Sequence, residues 1–452
     1  MRGFFARNRA PLLAFAIAAV IYGSVAGPRL LRRSSDPHFL LQAQAWLSGR
    51  LEIASWPAGA DDPAKLEEVE LKSGEIVRGR RISARSAFRV LGGREVPESE
   101  IARTARTIHY VSFPPFPALL FVPPVALFGN RAGDVALTVV LAALVPAFFL
   151  LLLRRLREKG LSARTQAEDL WLAVLLAFGT VFFFSAVQGR VWFTAHVVGA
   201  LLCILYAWAS VEAAHPLLAG LSLGMAFVTR TPMLFMFPLF VLEAWRVRRG
   251  SPRSRLLRDL IVFAVPIAAI GLLAAWYNYA RFRELTEFGH SYLAVRQQSQ
   301  IERFGLFHFR YLTRNLATAL TLMPAFLASR PYISISGHGL AIWVTTPVLL
   351  LLLWPRAKGA LYRPLLATVI PVAAWSLLYQ NSGWLQFGYR FSLDYIVFLV
   401  LLLAVGGRRL GAWTKTLIIV GIVVNLFGAI TFERMPWFYR ADNATYECVV
   451  RH

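Results

Sequence analysis

Long apolar runs, repeated along the whole chain, are the feature that most limits what this sequence can fold into. Their length of about 20 residues is that of a helix crossing the hydrocarbon core of a bilayer. Of the 452 residues, 57% are hydrophobic and only 16% are charged, whereas soluble domains carry about 25% charged residues. The pattern predicts an all-α polytopic membrane protein and excludes a soluble globular domain.

The runs predict about 11 transmembrane helices, some of them shorter because they are re-entrant or broken. They lie near residues 11–27, 134–153, 169–187, 191–210, 216–230, 232–246, 258–277, 339–354, 364–380, 391–406 and 415–431. No repeat of fixed period and no low-complexity linker separates them. Residues 1–452 are therefore expected to form one transmembrane domain.

The positions of lysine and arginine indicate the orientation. A net charge of +23 would suggest nucleic acid in a soluble protein, but membrane proteins concentrate basic residues in cytoplasmic loops. With a cytoplasmic N-terminus, the cytoplasmic segments carry 20 of the 48 lysines and arginines, and the short outer loops carry one each. This orientation places the N-terminus in the cytoplasm and gives no reason to expect a nucleic-acid partner. We expect a bacterial inner (plasma) membrane, with any functional site on the periplasmic or extracellular side.

The first outer loop, residues 28–133, is long enough to carry structure of its own. Residues 65–96 alternate weakly between polar and apolar and contain Gly-rich turn signals, which predicts a small β insertion of two to four strands. Residues 109–130 are apolar but contain five prolines, which favours a helix at the outer interface over a full span. The loop is thus expected to combine amphipathic helices with the β insertion.

Two acidic positions in this loop have alternative interpretations. Asp36 precedes Pro37 and an amphipathic stretch, so its carboxylate fits an N-cap with the proline at the first helical position. It also fits a functional acid just outside the first span. Asp61 and Asp62 could bind a cation, but adjacent side chains in a loop diverge and are usually solvated.

Sequence motifs typical of soluble enzymes are either absent or lie in an unsuitable structural setting. GLSLG at 220–224 matches a nucleophile elbow, but that motif needs a strand-turn-helix setting, and here it lies in an apolar helix. Small residues for helix packing are the better interpretation. No Walker loop or HExxH is present, and the eight histidines show no metal spacing, so no metal ligands are predicted.

Polar and aromatic residues that border the runs gather on the predicted outer side. They are Asp36, His38, His109, Tyr110, Arg190, Trp192, His196, Arg230, Tyr277, Asn278, His290, Trp384, Arg390 and Asp394. Singly, each fits an interfacial belt of aromatic and basic residues. Because ionisable groups at a membrane edge face a cavity or the protein interior, the set as a whole favours a site. Acids among several cations and aromatics suit a phosphate-linked sugar.

These stretches resemble the GT-C superfamily of membrane glycosyltransferases, in particular the protein mannosyltransferase and aminoarabinose transferase branch (family 39-like). The resemblance rests on an acid just after the first span, a large first outer loop and a Pro-Pro segment leading to Phe128-Gly129. It also rests on the stretches WYNYARFRELTEFGHSY (276–292) and FGYRFSLD (387–394). It covers most of the chain.

The resemblance implies an inverting transfer from a polyprenyl-phosphate sugar to a lipid, glycan or protein acceptor on the extracytoplasmic face. Asp36 would act as the catalytic base or orient the acceptor hydroxyl. The implied substrate-binding residues are Arg390, Arg190, His196, Arg230, Tyr277, Asn278, His290, Trp384 and Tyr110. Since Asp36 is followed by Pro37 rather than a second acid, metal binding is less favoured, and a divalent cation is left open as a cofactor.

Two other functions fit the same composition. A transporter or flippase of lipid-linked glycans would show inverted repeats and ionisable or broken-helix features near the midplane, and the sequence shows neither clearly. A ligase-like or polymerase enzyme would share the substrates but place its key basic residues in a late outer loop such as 276–338.

Overall fold

The computed structural model describes residues 2–82, 86–293 and 298–440, and most of them are helical. The helices of the first half are α1 (Arg2–Ala26), α2 (His38–Leu47), α3 (Phe116–Phe128), α4 (Asp134–Glu158), α5 (Gln166–Phe178), α6 (Phe182–Ala186), α7 (Val191–Ser210) and α8 (Pro216–Phe227). Those of the second half are α9 (Pro238–Val247), α10 (Arg253–Phe282), α11 (Gln298–Phe304), α12 (Leu312–Leu320), α13 (Ile342–Thr345), α14 (Tyr362–Leu377), α15 (Ile396–Val405) and α16 (Ala412–Thr431).

Within the described ranges, five helical segments are long and apolar enough to cross a membrane. They are Asn8–Leu31, Asp134–Glu158, Val191–Ala213, Arg253–Phe282 and Ala412–Thr431. This fits a helical membrane protein, while the number of about 11 crossings stays a prediction. Several predicted spans are short or broken: the run at 169–187 is divided between α5 and α6, because α5 ends at Gly179.

The outer surfaces of the long helices are apolar. On α10, Leu272, Leu273 and Trp276 are all largely exposed, and α16 exposes Val420 and Val423. Soluble proteins rarely expose apolar patches this extended. The exposed faces therefore fit contact with lipid.

The helices pack around one main hydrophobic core. α1 packs against α4, α4 against α5 and α7, α7 against α8, and α8 against α10, while α16 covers α5 and α6. A Cβ on Gly220 would lie 2.1 Å from the backbone oxygen of Phe263, and one on Gly224 would lie 2.7 Å from Ile270. The close approach of α8 to α10 confirms that GLSLG serves helix packing.

The first outer loop contains a five-stranded antiparallel sheet in the order β4-β3-β2-β1-β5. Its strands are β1 (Pro63–Leu71), β2 (Ile76–Ile82), β3 (Ala87–Val90), β4 (Glu95–Pro97) and β5 (Ile101–Val111). Four of these strands, β1 to β4, lie where two to four were predicted near 65–96, and the fifth, β5, lies beyond that range. β5 lacked a signal because residues 102–107 are exposed on both faces. A second small sheet joins β6 (Ala325–Phe326), β7 (Ile333–Ser336) and β8 (Tyr439–Arg440).

Candidate site at one end of the helical bundle

The ionisable residues predicted at the outer helix ends lie at one end of the bundle. α4 and α7 begin there, α10, α14 and α16 end there, and a 3-10 helix (Arg390–Asp394) leads into α15. At the other end of the bundle, Arg157 near the end of α4 pairs with Asp169 near the start of α5. Alternating helix directions thus collect residues that are distant in sequence.

The first turn of α7 is held close to the start of α4 by Gly189. Its backbone is left-handed, with φ of +75°, and a Cβ there would lie 2.6 to 2.9 Å from atoms of Val135. Only glycine meets both requirements without strain. The residue that follows, Arg190, is therefore placed at the bundle end by the packing of α7 on α4.

The carboxylate of Asp36 is fully buried and accepts three hydrogen bonds. Its Oδ2 accepts from Arg190 Nε and from Ser35 Oγ, both at 2.6 Å, and its Oδ1 accepts from the Asp61 backbone N–H at 2.8 Å. The N-cap interpretation was wrong, because α2 is preceded by Pro37 with no side-chain cap bond. Asp36 instead joins the start of α7 to the loop before β1.

The guanidinium of Arg190 lies within 4 Å of acids from three segments of the chain. Besides Asp36, its guanidinium pairs with Glu433, just after α16, and lies 3.9 Å from the carboxylate of Asp61. Its guanidinium carbon is also 4.8 Å from the ring centre of Trp192. Arg190 is therefore already paired with carboxylates, and these contacts link three segments of the chain.

The indole of Trp192 contacts both an acid and a cation of the site. Its Nε1 donates a 3.0 Å hydrogen bond to Oδ2 of Asp62, and the guanidinium carbon of Arg390 lies 5.9 Å from its ring centre. Protein surrounds Asp62 on most sides, and this burial raises the pKa of its carboxyl, with the Trp192 hydrogen bond opposing the shift. The solvated interpretation fits the exposed Asp61 side chain but was wrong for Asp62.

Arg390 is a buried cation with unused hydrogen-bonding capacity. Only 3% of the residue is exposed. Its Nη1 donates to the Leu385 carbonyl at 2.9 Å, while its Nε has no partner. Its guanidinium carbon lies 5.5 Å from the ring centres of both Phe193 and Phe391. Among the described residues no carboxylate lies within 4.0 Å of it, so its charge is not neutralised by an ion pair.

A second acid lies deeper in the site and is fully paired. Asp394 accepts two hydrogen bonds from Arg230, at 2.9 and 2.8 Å, and its Oδ1 is 3.2 Å from Nδ1 of His196. The guanidinium carbon of Arg230 is 5.2 Å from the Phe391 ring, the same ring that Arg390 contacts. The His196 Nε2 is buried without a partner. Arg230 and Arg390 therefore both lie close to the ring of Phe391.

His290 closes the side of the site nearest to α10. Its ring centre is 6.2 Å from that of Phe113 and 6.4 Å from that of Tyr379. Burial is the main cause that lowers the pKa of His290 to about 4, and the charge of Arg230 adds to the effect. The imidazole is therefore neutral at pH 7.

Four of the predicted site residues lie elsewhere. Tyr277 accepts hydrogen bonds from Gln42 and Trp46 of α2, and Asn278 contacts the Leu285 carbonyl and Arg281. Tyr110 packs on Phe282, and Trp384 packs on His338. The structure brings Asp36, Arg190, His196, Arg230, His290 and Arg390 together, and it places Tyr277, Asn278, Tyr110 and Trp384 outside this cluster.

The structure adds Asp62, Trp192, Tyr379 and Glu433 to the site. Trp192 was among the outer residues noted in the sequence, and Asp62 was noted there only as a possible cation ligand. Tyr379 and Glu433 carried no signal because a helix end and a loop bring them in. In the described ranges, no group of three or more histidines, cysteines or acids could hold a metal ion.

Comparison with protein-family models, with curated proteins and with solved structures found no match for this chain.

Proposed function

We propose that this protein is an inverting glycosyltransferase, which moves a sugar from a polyprenyl-phosphate donor to a lipid, glycan or protein acceptor. The observation that carries the proposal is the buried guanidinium of Arg390, whose Nε has no partner and which has no carboxylate within 4.0 Å among the described residues. A buried charge without a counter-ion is costly. A phosphate entering from the membrane would supply that counter-ion, and its geometry suits the guanidinium fork.

Arg390 would also assist the chemical step. When the bond between the sugar and the phosphate oxygen breaks, negative charge grows on the leaving phosphate. A preorganised donor in a site that excludes water stabilises such charge more than water does. The aromatic rings of Phe193 and Phe391, which flank Arg390, help to exclude water there.

An inverting transfer further needs a group that takes the proton of the acceptor hydroxyl. The resemblance to the GT-C superfamily gives this role to Asp36, which lies in the site beside Arg190. Asp62 is a second carboxylate within the same cluster. The arrangement therefore supports a site in which Arg390 binds the donor phosphate and a nearby carboxylate, Asp36 or Asp62, faces the acceptor.

The orientation is part of the proposal. Clusters of basic residues lie in the short loops that follow α4, α9 and α15, at the bundle end opposite the site, while the long first outer loop carries others. Membrane proteins retain such loops in the cytoplasm. The site would then face the periplasm, as expected for an inner-membrane enzyme that uses lipid-linked sugars.

Transport of a lipid-linked glycan without chemistry is the alternative. Broken helices favour it: α5 gives way to α6 at Gly179, and the 3-10 helix Pro347–Leu353 replaces much of a predicted span. Broken helices are common in secondary transporters. A transporter would leave the sugar-phosphate bond intact, so the product distinguishes the two functions.

The test uses the full chain in lipid nanodiscs with a panel of polyprenyl-phosphate sugars that carry radiolabelled sugars. We expect transfer of label from at least one donor, and a loss of about 10²- to 10³-fold in Arg390→Gln. Arg103→Gln on the exposed part of β5 is the matched control and should behave like the wild type. Intact donor after incubation with the wild type would contradict the proposal.

A further inference from the structure

We propose that Asp62 takes the proton of the acceptor hydroxyl and that Asp36 is a positioning residue that holds Asp62 in place. The inference rests on the proposed glycosyl transfer and assigns the roles of two carboxylates within that site. The two acids differ in their hydrogen bonding.

Asp36 is poorly suited to accept a proton. Both of its oxygens are occupied, by Arg190, Ser35 and the Asp61 amide, and the carboxylate is fully buried. Protonation would remove one of the two carboxylates that pair directly with the Arg190 guanidinium, and breaking a buried ion pair is strongly unfavourable. Asp36 therefore stays charged and paired while the reaction proceeds.

Asp62 has a free position for a proton. Its Oδ2 accepts from Trp192, while among the described residues its Oδ1 has no hydrogen-bond partner and no cation lies within 4.0 Å. The side chain is only partly buried, so an acceptor can approach it. Burial raises the pKa of this carboxyl, which strengthens it as a base.

The loop that carries Asp62 is held by its neighbours on both sides. Asp36 accepts from the Asp61 amide, and Nε2 of His38 lies 2.8 Å from the Asp61 carbonyl. Ser112 donates to the Asp62 carbonyl, and β1 begins at the next residue. Asp62 itself has φ of +55°, a conformation that aspartate adopts more readily than most residues. Asp36 thus helps to hold Asp62 in place indirectly, through its hydrogen bond to the backbone of the neighbouring Asp61.

The indole of Trp192 also places Asp62 next to the phosphate-binding cation. It donates to the carboxylate of Asp62, and the Arg390 guanidinium lies 5.9 Å from its ring centre. An acceptor hydroxyl at Asp62 and a donor phosphate at Arg390 would therefore have the anomeric carbon between them. An inverting transfer requires the base and the leaving phosphate to lie on opposite sides of that carbon.

The step balances without any further reactant. The acceptor oxygen forms a bond to the anomeric carbon, and the bond from that carbon to the phosphate oxygen breaks. The bonding pair leaves with the polyprenyl phosphate, next to Arg390. The hydroxyl proton passes to Oδ1 of Asp62 and is later released to water.

The experiment compares two kinds of acceptor in nanodiscs containing the full chain. Water and glycerol must lose a proton during transfer, whereas azide is already an anion and needs no base. In Asp62→Asn we expect transfer to water and glycerol to fall by about 10²-fold or more. We expect glycosyl azide to form within about tenfold of the wild-type rate.

Asp36→Asn gives the contrasting result. Its displaced loop should lower transfer to azide and to the oxygen acceptors together, so the ratio of the two products stays that of the wild type. Asp36→Glu should restore part of both rates. Glu70→Gln on β1 removes an acid from an exposed ion pair and should change neither rate.

Two results would overturn the inference while leaving the transferase proposal intact. One is a wild-type product ratio in Asp62→Asn, and the other is a selective loss of oxygen transfer in Asp36→Asn. A wild-type protein that transfers label to no acceptor would instead refute the transferase proposal, and the inference with it.

Discussion

Arg230 donates two hydrogen bonds to the carboxylate of Asp394, at 2.9 and 2.8 Å, and so joins the start of the 3-10 helix at 231–236 to the start of α15. The acid is fully buried and the cation largely so. Removing one partner leaves the other buried and unpaired. The pair therefore contributes to the integrity of the site.

The first prediction concerns this pair. Asp394→Ala should lower the free energy of unfolding by about 3–5 kcal/mol, whereas the double variant Arg230→Met/Asp394→Leu should recover much of that loss. Thermal unfolding in detergent measures both. Glu75→Gln breaks an exposed ion pair with Arg94 and should cost less than about 1 kcal/mol. A double variant as unstable as the sum of its two single variants would contradict the prediction.

The second prediction concerns the close approach of α7 to α4. Gly189→Ala places a Cβ within 3 Å of Val135 at a positive φ, so it should lower both thermal stability and sugar transfer by moving Arg190. Gly271→Ala is the matched control, because its added Cβ meets no atom within 4 Å. It should be neutral or slightly stabilising, since alanine favours the helix. Equal behaviour of the two variants would argue against the packing role.

The third prediction is a pH dependence of stability from His290. Its folded pKa of about 4 lies below the ordinary value of 6.5, so between these values the unfolded chain binds a proton that the folded protein does not. Stability should therefore be fully present above pH 6.5 and fall as the pH drops toward 4, by at most about 1.4 kcal/mol per pH unit. His290→Gln should reduce the slope, and an unchanged slope would count against it.

The stability of His290→Gln should still depend on pH in this range. Burial also lowers the pKa of His338 to about 4, and this histidine contributes in the same direction. Thermal unfolding of the wild type and of His290→Gln between pH 4 and pH 8 isolates the part that belongs to His290.

The fourth prediction concerns orientation. Arg103 on β5 and Arg258 at the start of α10 are both highly exposed, and they lie on opposite sides of the proposed membrane. In a Cys448→Ser background, Arg103→Cys should react with a membrane-impermeant maleimide in intact spheroplasts. Arg258→Cys should react only after permeabilisation, and the reverse pattern would invert the topology.

The sequence predicted the convergence of several charged residues because of where they lie along the runs. Arg190, Arg230 and Arg390 each border an apolar segment on the same predicted side, and a bundle of alternating helices must bring such ends together. Tyr277 and Asn278 border a run as well, but α10 continues to Phe282. Tyr277 therefore lies on a helical face beside α2, and Asn278 contacts Leu285 and Arg281 near the end of α10.

The contribution of Asp62 could not be inferred from local sequence. It lies in a polar loop, and its position depends on contacts far along the chain. These include the backbone bridge between Ile53 and His109 and the indole of Trp192. The fold of the insertion was likewise only partly predictable, since β5 is stabilised by pairing with β1 and shows no alternation of buried and exposed residues.

The most direct test of the transferase proposal is a cryo-EM structure of the protein in nanodiscs saturated with polyprenyl phosphate, the product that every such transfer would release. We expect phosphate density within hydrogen-bonding distance of the Arg390 guanidinium, at the bundle end that holds Asp36 and Asp62. Phosphate density elsewhere on the protein, with Arg390 making no contact to it, would contradict the account.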